Sequence, residues 1–206
     1  MFYRTETNDH GLPHDPFKAI VSPRPIGWIS TLSKDGTANL APYSFFNAIA
    51  DSPKLVMVAS AGIKDMARTA VETGEFVCNL ATGELAKQLV RSSANAPSEV
   101  DEFEMTGLTK APCEIVRAPR VAESPAALEC IVTDSFRPKT RSGEHPGAFV
   151  VIGEVVGIHI DERILVNGRI DMALAAPLAR LGYLDYSVSD TVFTIPRPRT
   201  PDGSDI

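Results

Sequence analysis

The sequence predicts a mainly β fold, a small antiparallel barrel of six or more strands with a few short helices. Three observations favour it. A hairpin pattern with an Asp-Gly turn stands early in the chain, the run AFVVIGEVVGIHID is rich in β-branched residues, and only two or three short segments have helical periodicity. Strands joined by hairpins, with helices inserted between them, are typical of small antiparallel barrels.

The first elements are predicted to be a hairpin and a buried strand. The β-rich run 28–32 forms one arm of the hairpin, Lys34-Asp35-Gly36 supplies the turn, and residues 37–41 return as the second arm. The segment KLVMVAS, residues 54–60, is short and apolar throughout. That composition is typical of a strand whose two faces are both covered.

The segment KDMARTAVETG is predicted to form the first helix. Asp65 stands where a side chain commonly caps a helix N-terminus, and Gly74 stands where a glycine commonly follows the last turn. The apolar residues expected on one face of this helix are Met66, Ala67, Ala70 and Val71. EFVCNLA, which follows, is predicted as another strand.

A second short helix is predicted in GELAKQLVRSSA, with Leu85, Leu89 and Val90 on one side. Residues 92–112 are polar and rich in turn-forming residues, so we expect a surface excursion there. ALECIVTDSFRP and AFVVIGEVVGIHID are predicted as two long strands. The chain ends on a polar segment with Pro and Gly that is expected to fray.

Length and composition indicate one globular domain, with an N-terminal arm at residues 1–19, a core at about 20–198 and a tail at 199–206. The chain has 206 residues, of which 44% are hydrophobic and 22% charged, so it can bury a core without metal or disulfide staples. The net charge of −6 argues against a general nucleic-acid binder and gives no reason to expect an anionic membrane as partner.

Cysteine usage and the N-terminus predict a cytoplasmic protein. Cys78, Cys113 and Cys130 are an odd number without a CxxC pair, which favours reduced thiols with a structural role. The first sixteen residues contain no apolar segment of the signal-peptide kind. Glu154 interrupts the most apolar long segment, which is also too short and too β-branched for a membrane span.

Several common catalytic motifs are absent from the sequence. His10 and His14 are separated by Gly11 and Pro13, so they do not form a helical pair, and no HExxH or Cys/His cluster predicts a metal site. No GxGxxG, P-loop or GxSxG motif occurs. The sequence therefore predicts neither a Rossmann dinucleotide site, nor a P-loop, nor a hydrolase.

An anion site is predicted where the strand KLVMVAS meets the following helix, in SAGIKDMAR. A helix N-terminus offers free backbone N–H groups and the positive end of the helix dipole. Ser60 adds a hydroxyl, and Lys64 and Arg68 add positive charge, which together suit a phosphate monoester. The alternative is that Lys64 and Arg68 form only the solvated face of an amphipathic helix.

The stretch NLAPYSFFN offers a second part of the same site. Strand alternation places Leu40, Pro42 and Ser44 on one face. Pro42 has no N–H to donate to a ladder, so this end of the strand is predicted to be an edge or a bulge that a planar ligand can approach. The alternative for Phe45, Phe46 and Trp28 is ordinary packing in a core or an interface.

Several segments together resemble one known family. SPRPIGWISTLSKDGTANLAPYSFFNAIADSPKLVMVAS, KDMARTAVETGEFVCNL, VVIGEVVGIHID and PLARLGYLDYS are similar to consecutive motifs of the flavin reductase-like, FMN-binding split-barrel family, which includes the reductase partners of two-component monooxygenases. The resemblance covers about residues 20–198. It implies a split β-barrel and a homodimer whose interface helps to build the FMN sites.

The resemblance also implies which residues contact FMN. The strand Trp28-Ile29-Ser30-Thr31 is expected to lie along the isoalloxazine, and Ser60, Lys64 and Asp65 match the motif at the phosphate end, with Asp65 more suited to capping the helix than to meeting an anion. The residues expected to line the ring and the ribityl chain are Ala41, Pro42, Tyr43, Ser44 and Phe45, with Ser44 turned to the phosphate. Further expected contacts are Arg180, Tyr183 and Asn47, and the alternative for Asn47 is that its amide only holds the turn that follows.

Three departures from the family pattern affect the site. Met66 stands where the family usually has Thr, which removes one hydroxyl donor from the phosphate end. RLGYLDYS lacks the double glycine of many relatives. His145 lies in a Gly-Glu-His sequence that resembles a Gly-Asp-His segment used by some relatives for nicotinamide, and it is a weak candidate for that role.

The resemblance implies an oxidoreductase in which NAD(P)H passes hydride to FMN, and reduced FMN passes electrons to oxygen, a monooxygenase or another acceptor. A second hypothesis is an FMN-binding electron carrier or flavin-holding protein without NAD(P)H activity, since no convincing nicotinamide motif is visible. A third is an enzyme like pyridoxamine-phosphate oxidase, which would need a basic cluster for a second phosphate. The sequence shows no such cluster.

Overall fold

The structure is a computed structural model that describes residues 1–196 and 198. The predicted tail, residues 199–206, lies outside the described residues. The helices are α1 (Phe17–Ile20), α2 (Asp65–Thr73), α3 (Ala86–Arg91), α4 (Glu102–Thr106) and α5 (Met172–Ala175), and a 3-10 turn spans Glu162–Ile164. The strands are β1 (Arg24–Pro25), β2 (Gly27–Leu32), β3 (Ala38–Tyr43), β4 (Phe46–Asp51), β5 (Lys54–Ala61), β6 (Glu75–Leu80), β7 (Lys110–Ala111), β8 (Arg120–Val121), β9 (Ala126–Phe136), β10 (Ala148–Ile160), β11 (Leu165–Val166), β12 (Arg169–Ile170), β13 (Leu178–Arg180) and β14 (Tyr186–Val188).

The centre of the fold is a seven-stranded antiparallel sheet with the order β3-β2-β6-β9-β10-β5-β4. Its two edge strands, β3 and β4, are consecutive in the chain and are joined by only Ser44 and Phe45. A sheet whose outermost strands are linked by two residues must curl until its edges meet. The predicted antiparallel barrel is therefore confirmed, and its seam lies at Ser44 and Phe45.

Two apolar clusters fill the two sides of this curled sheet, and neighbouring residues of β2 alternate between them. Ile29 belongs to the barrel cluster, which also contains Val58, Phe76 and Val151 and is covered by the buried face of α2. Trp28 belongs to the helix cluster, in which its neighbours include Leu40, Leu89 and Phe103. The period-two alternation of β2 thus makes it the strand shared by both cores.

Most elements predicted from the sequence are confirmed, with corrections at two helices. Asp65 does not cap α2, because Lys64 occupies the N-cap position and no side chain caps the N-terminus. Gly74 ends the same helix as predicted, with φ at 77° and its N–H bonded to Ala70. Val71 and Val90 are 44% and 48% exposed, so they do not belong to the buried faces expected of α2 and α3.

The expectation of a polar surface excursion at residues 92–112 is wrong in its centre, where α4 forms. The Asp101 carboxylate caps this helix by accepting from the Phe103 N–H at 2.9 Å, and Gly107 ends it with φ at 74°. Phe103 is fully buried in the helix cluster. The helix therefore lies against the barrel instead of extending into solvent.

A small sheet outside the barrel ties the N-terminal segment to the C-terminal one. Its order is β1-β13-β14. Gly182, in the turn after β13, lies so close to Ala19 of α1 that a Cβ added to it would come within 2.5 Å of the Ala19 side chain. Helix α1 is therefore packed against this turn. In the described part of the chain, no helix has the length and apolar character needed to cross a membrane.

Candidate functional site

Two open clefts of about 130 and 210 Å³ adjoin along the edge strand β3, and both are lined by Pro42 and Ser93. We call the continuous depression the β3 groove. Its Lys64 end is lined by Asn39, Ala41, Pro42, Tyr43, Lys64, Asp65, Met66, residues 92–96 and Glu102. Its Arg180 end is lined by Lys18, Arg24, Ile26, Pro42, Ser44, Leu89, Ser93, Arg180, Tyr183 and Tyr186.

The groove brings together eight of the residues selected from the sequence. They come from β3 and the seam, from the start of α2 and from the end of β13, which are distant in the chain. These eight are Ala41, Pro42, Tyr43, Ser44, Lys64, Asp65, Arg180 and Tyr183. The placement agrees with the site that the resemblance implies, although the contacts of these residues with a flavin stay predictions.

The backbone of β3 gives this groove an edge of hydrogen-bond acceptors. The Leu40 N–H points away from β2 and donates to Glu102 Oε2 at 3.0 Å. Because alternate residues of an antiparallel strand face the same side, Pro42 also faces outward, and it has no N–H. The predicted edge at Pro42 is therefore confirmed. On the side of β3 that faces away from β2, the backbone near Pro42 offers carbonyl oxygens to the groove.

The start of α2 gives the Lys64 end a set of free donors. The first backbone hydrogen bond of the helix runs from the Arg68 N–H to the Lys64 carbonyl at 2.9 Å. The N–H groups of residues 65–67 come before this bond, so they have no acceptor within the helix. No side chain caps them. Asp65 forms an ion pair with Arg68. Lys64, with no ion pair among the described residues, is the cation at this helix end.

Ser60 lies beside this helix end but not in the groove lining. It is 4% exposed, and its Oγ donates to the Gly62 carbonyl at 2.5 Å. The hydroxyl therefore holds the turn between β5 and α2 in shape. To contact a phosphate as predicted, the Ser60 hydroxyl would have to accept a hydrogen bond from the ligand or give up its bond to Gly62.

The structure does not bring residues 28–31 to the groove. All four are fully buried, and β2 is paired with β3 on one side and β6 on the other. Trp28 Nε1 donates to Ser92 Oγ at 2.9 Å, and Ser30 Oγ donates to the Pro119 carbonyl at 2.6 Å. The burial of these four side chains favours the core-packing alternative for Trp28, and the expectation that the strand lies along the isoalloxazine stays a prediction.

Three other candidates also lie away from the groove lining. Phe45 is 46% exposed at the seam, and Asn47 is exposed on β4, where its Oδ1 accepts from the Ala48 N–H at 2.9 Å. His145 lies exposed in the loop between β9 and β10, with Nδ1 3.0 Å from the Pro138 carbonyl oxygen. Phe46 packs against the barrel cluster, which agrees with the alternative of ordinary core packing for this residue.

The Lys64 end carries one carboxyl group, that of Glu102, which the sequence did not assign to the site. Glu102 is 6% exposed, and burial raises the pKa of its carboxyl, although bonds from the Leu40 N–H and the Asn39 amide act in the opposite direction. Burial also raises the pKa of Tyr43, with the charges of Asp65 and Glu102 adding to the effect. Tyr43 is therefore a neutral phenol throughout the physiological range.

The Arg180 end differs, because Lys18, Arg24 and Arg180 line it and no carboxylate does. The sequence shows no basic cluster, whereas the fold brings these three cations into one cleft. The three cations come from α1, β1 and β13, which meet only because β1 pairs with β13 and α1 packs on the following turn. No local pattern in the sequence contains this information.

A second polar cluster lies outside the groove, where atoms of Cys113, Glu129 and His159 lie within 4.8 Å of one another. The Glu129 carboxylate accepts from the N–H groups of residues 114, 115 and 116 and lies 2.6 Å from His159 Nε2. Although burial by itself raises the pKa of Glu129, these bonds lower it to about 2. The carboxylate has four partners, which indicates a structural anchor for the 113–116 segment.

The three cysteines are all unpaired. Cys78 and Cys130 are buried on adjacent strands in the barrel cluster, and burial raises the pKa of the Cys78 thiol. Burial and the charge of Glu129 raise the pKa of Cys113 to about 11. The thiols of Cys78 and Cys113 are therefore protonated at neutral pH, which fits the structural role predicted for them.

Comparison with known proteins identifies the class to which this fold and groove belong. Residues 21–176 match the family described as flavin reductase like domain. An uncharacterized protein of Aquifex aeolicus (strain VF5) is 35% identical over 169 residues, which are 79% of this chain and 83% of that protein. The chain therefore belongs to the flavin reductase-like family.

Solved structures show the same relationship. Nitrilotriacetate monooxygenase component B from Bacillus cereus has a TM-score of 0.82 and 28% sequence identity, over 95% of this chain and 98% of that one. A structure from Shewanella frigidimarina described as having a split barrel domain has a TM-score of 0.80 and 22% identity, over 96% of this chain and 100% of that one. The second likeness shows the fold alone, and it confirms the predicted split barrel.

Proposed function

We propose that the protein is an FMN-binding oxidoreductase that takes electrons from NAD(P)H. The observation that carries the proposal is the uncapped N-terminus of α2, with Lys64 beside it, opening into the groove along β3. Free backbone N–H groups, a helix dipole and one lysine are the donors that a phosphate monoester requires. Membership of the flavin reductase-like family supports the same assignment.

The groove residues fit FMN in three respects. Lys64 and the N–H groups of residues 65–67 would hold the phosphate, so the hydroxyl missing at Met66 is replaced by backbone donors. The outward carbonyls of β3 and the half-buried ring of Tyr43 would orient the flavin ring and the ribityl chain. Ser44, at the seam, would add a hydroxyl.

When bound, FMN supplies the redox chemistry by accepting a hydride equivalent and releasing electrons singly or in pairs. The chain would bind and position it, and the buried Glu102 and the half-buried Tyr43 would shield that end of the groove from bulk water. Hydride transfer requires no acid–base residue, so a groove without a catalytic dyad is compatible with this reaction.

The test is an absorbance spectrum of the purified protein mixed with FMN, followed by anaerobic addition of NADH or NADPH. Spectral perturbation of the flavin bands and their bleaching by one nicotinamide, faster than with free FMN, is the expected result. Flavin bands identical to those of free FMN would contradict FMN binding. Binding without bleaching would reject the nicotinamide-dependent activity.

A second candidate function is an FMN-binding electron carrier or flavin-holding protein without NAD(P)H activity of its own. The placement of His145 favours it, because the weak nicotinamide candidate lies in an exposed loop outside the groove lining. In that case a reduced protein donor, but neither nicotinamide, would bleach the bound flavin.

We also propose that two copies assemble as a homodimer in the cytoplasm and pass electrons to a separate acceptor. Val156, Ile158 and Ile160 alternate along the end of β10 and are 38%, 52% and 43% exposed, which gives the strand an apolar surface. The resemblance to a protein named as a monooxygenase component supports a monooxygenase as one kind of acceptor.

A further inference from the structure

The guanidinium of Arg24 is buried without a counter-ion. The residue is 6% exposed; Nη1 donates to the carbonyls of Lys18 and Val21, and Nη2 donates to that of Leu181 at 2.9 Å. Nε is buried and has no hydrogen-bond partner. Within the described residues no Asp or Glu forms an ion pair with Arg24.

A second guanidinium in the same cleft makes this arrangement more costly. Arg180 lies with its guanidinium carbon 4.5 Å from the centre of the Tyr186 ring, and Nη2 donates to the Tyr183 carbonyl at 2.5 Å. Burial, and then the charge of Arg180, lower the pKa of Arg24. Since buried charges are normally paired, two neighbouring cations without a carboxylate indicate that the cleft is completed by an anion from outside the chain.

The remaining lining of the Arg180 end suits a small organic anion. Lys18 adds a third cation from α1, and Ser44 and Ser93 add hydroxyl groups. Tyr183 and Tyr186 provide aromatic surface at the same cleft, and the ring of His14 lies 5.5 Å from that of Tyr183. Although the chain has a net charge of −6, this cleft is lined by three cations and no carboxylate.

We propose that the Arg180 end of the groove binds an oxyanion of the second substrate, the molecule that exchanges electrons with the flavin. The proposal rests on the proposed function, in which the FMN phosphate occupies the Lys64 end. The two ends share Pro42 and Ser93, so an anion at Lys18, Arg24 and Arg180 anchors its molecule directly beside the flavin position. The oxyanion is a phosphate of a nicotinamide dinucleotide or a carboxylate of an organic acceptor.

The first experiment titrates flavin-free protein with inorganic pyrophosphate and, separately, with benzoate, by isothermal titration calorimetry. The variants are Arg180→Gln and Lys18→Gln. Lys18 is exposed, so its substitution leaves the fold intact even if Arg180→Gln disturbs the turn at Tyr183. The matched control is Lys139→Gln, an exposed lysine between β9 and β10 outside the groove lining.

We expect at least one probe to bind the wild-type protein and each substitution to weaken it about tenfold, the usual loss for one charge-assisted hydrogen bond. Lys139→Gln should bind as the wild type does. Binding of pyrophosphate alone identifies a phosphate-bearing substrate, and binding of benzoate alone identifies a carboxylate. Failure of both probes to bind, or binding that Lys64→Gln abolishes and the other variants leave unchanged, would overturn the proposal.

The second experiment separates this pocket from the flavin phosphate site. FMN and riboflavin are titrated against Arg180→Gln and followed by flavin fluorescence. We expect Arg180→Gln to change the affinities of FMN and riboflavin by the same factor, because the anion held by Arg180 belongs to another molecule and any contact of Arg180 with the flavin ring is common to both ligands. A selective loss of FMN affinity would place the FMN phosphate here and overturn the proposal. If wild-type protein bound no FMN, the proposed function would fail, yet the calorimetric titration would still test the basic pocket.

Discussion

Leu40 and Glu102 are joined by a hydrogen bond that closes the open edge of the barrel. The Leu40 N–H, which has no partner strand on that side, donates to Glu102 Oε2 at 3.0 Å. The Asn39 amide donates to the same carboxylate, at 3.1 and 3.2 Å from its two oxygens. Helix α4 thereby covers an edge strand that would otherwise invite pairing with another chain, and it forms one wall of the groove.

Replacing Glu102 should destabilise the barrel. Glu102→Ala leaves the buried Leu40 N–H without an acceptor, and we expect the free energy of unfolding to fall by about 1–3 kcal/mol. Glu102→Gln keeps one acceptor oxygen and should cost less. Urea unfolding at pH 7 measures both, with the exposed Glu104→Ala on the same helix as control. Equal effects of Glu102→Ala and Glu104→Ala would show that the bond contributes nothing.

Lys64 should act through the phosphate of the flavin. Lys64→Ala removes the cation at the start of α2, so we expect FMN binding to weaken by about 1–3 kcal/mol and riboflavin binding to change much less. Titration of both ligands by flavin fluorescence makes the comparison, and Arg68→Ala, whose guanidinium is paired with Asp65, is the control. An equal loss for FMN and riboflavin would place Lys64 away from the phosphate.

Glu129 should give the protein a stability that depends on pH. Its pKa is lowered from 4.5 to about 2, so the native state keeps the carboxylate ionised where the unfolded chain protonates it. Its contribution, on the order of 3 kcal/mol, is therefore complete above the unfolded pKa and is lost as the pH falls toward 2. We expect the unfolding free energies of wild type and Glu129→Gln to differ most at pH 7.

Urea unfolding at several pH values between 7 and 2.5 checks this dependence. The neighbouring Glu114 is exposed, so Glu114→Gln should follow the wild-type curve. A gap between wild type and Glu129→Gln that stays constant across this range would mean that the backbone N–H groups of residues 114–116 do not hold a charged carboxylate.

The apolar end of β10 should govern assembly. Ile158→Lys puts a charge on a side chain that is 52% exposed, and if two copies meet there, burying that charge opposes the dimer. We expect light scattering at micromolar concentration to show a dimer for the wild type and a monomer for the variant. Ile115, 57% exposed elsewhere, provides the control Ile115→Lys. A dimer that survives Ile158→Lys would place the interface on another surface.

The strands and helices of this fold follow from local patterns, and so they could be predicted from the sequence. The hairpin before Pro42, the edge at Pro42 and the glycine that ends α2 each depend on a few neighbouring residues. Helix α4 had the same kind of signal, an Asp101 cap and Gly107 after the last turn, but the polar residues around it concealed the one buried aromatic, Phe103.

The composition of the groove could be predicted only in part. Family motifs located Lys64 and the residues of β3, because those motifs are contiguous in the chain. Burial of residues 28–31 could not be read from a motif, since it depends on β6 pairing on the far side of β2. Arg24 lies beside Arg180 because β1 pairs with β13. This pairing joins opposite ends of the chain, and no short sequence pattern predicts it.

Gly27 should be needed for closing the barrel seam. A Cβ at this position would come within 2.6 Å of the Phe46 ring, which packs against the barrel cluster. Gly27→Ala therefore forces the ring to move, and we expect it to cost about 1–3 kcal/mol of unfolding free energy.

Phe46→Leu removes ring volume at the same place, so the double variant should lose clearly less stability than the sum of the two single variants. Urea unfolding of the four proteins completes the double-mutant cycle. Additive losses would contradict a direct contact. A coupling of about 1 kcal/mol or more would show that the first residue of β2 and the first residue of β4 fit against each other, and that Gly27 is there because the edges of the sheet meet.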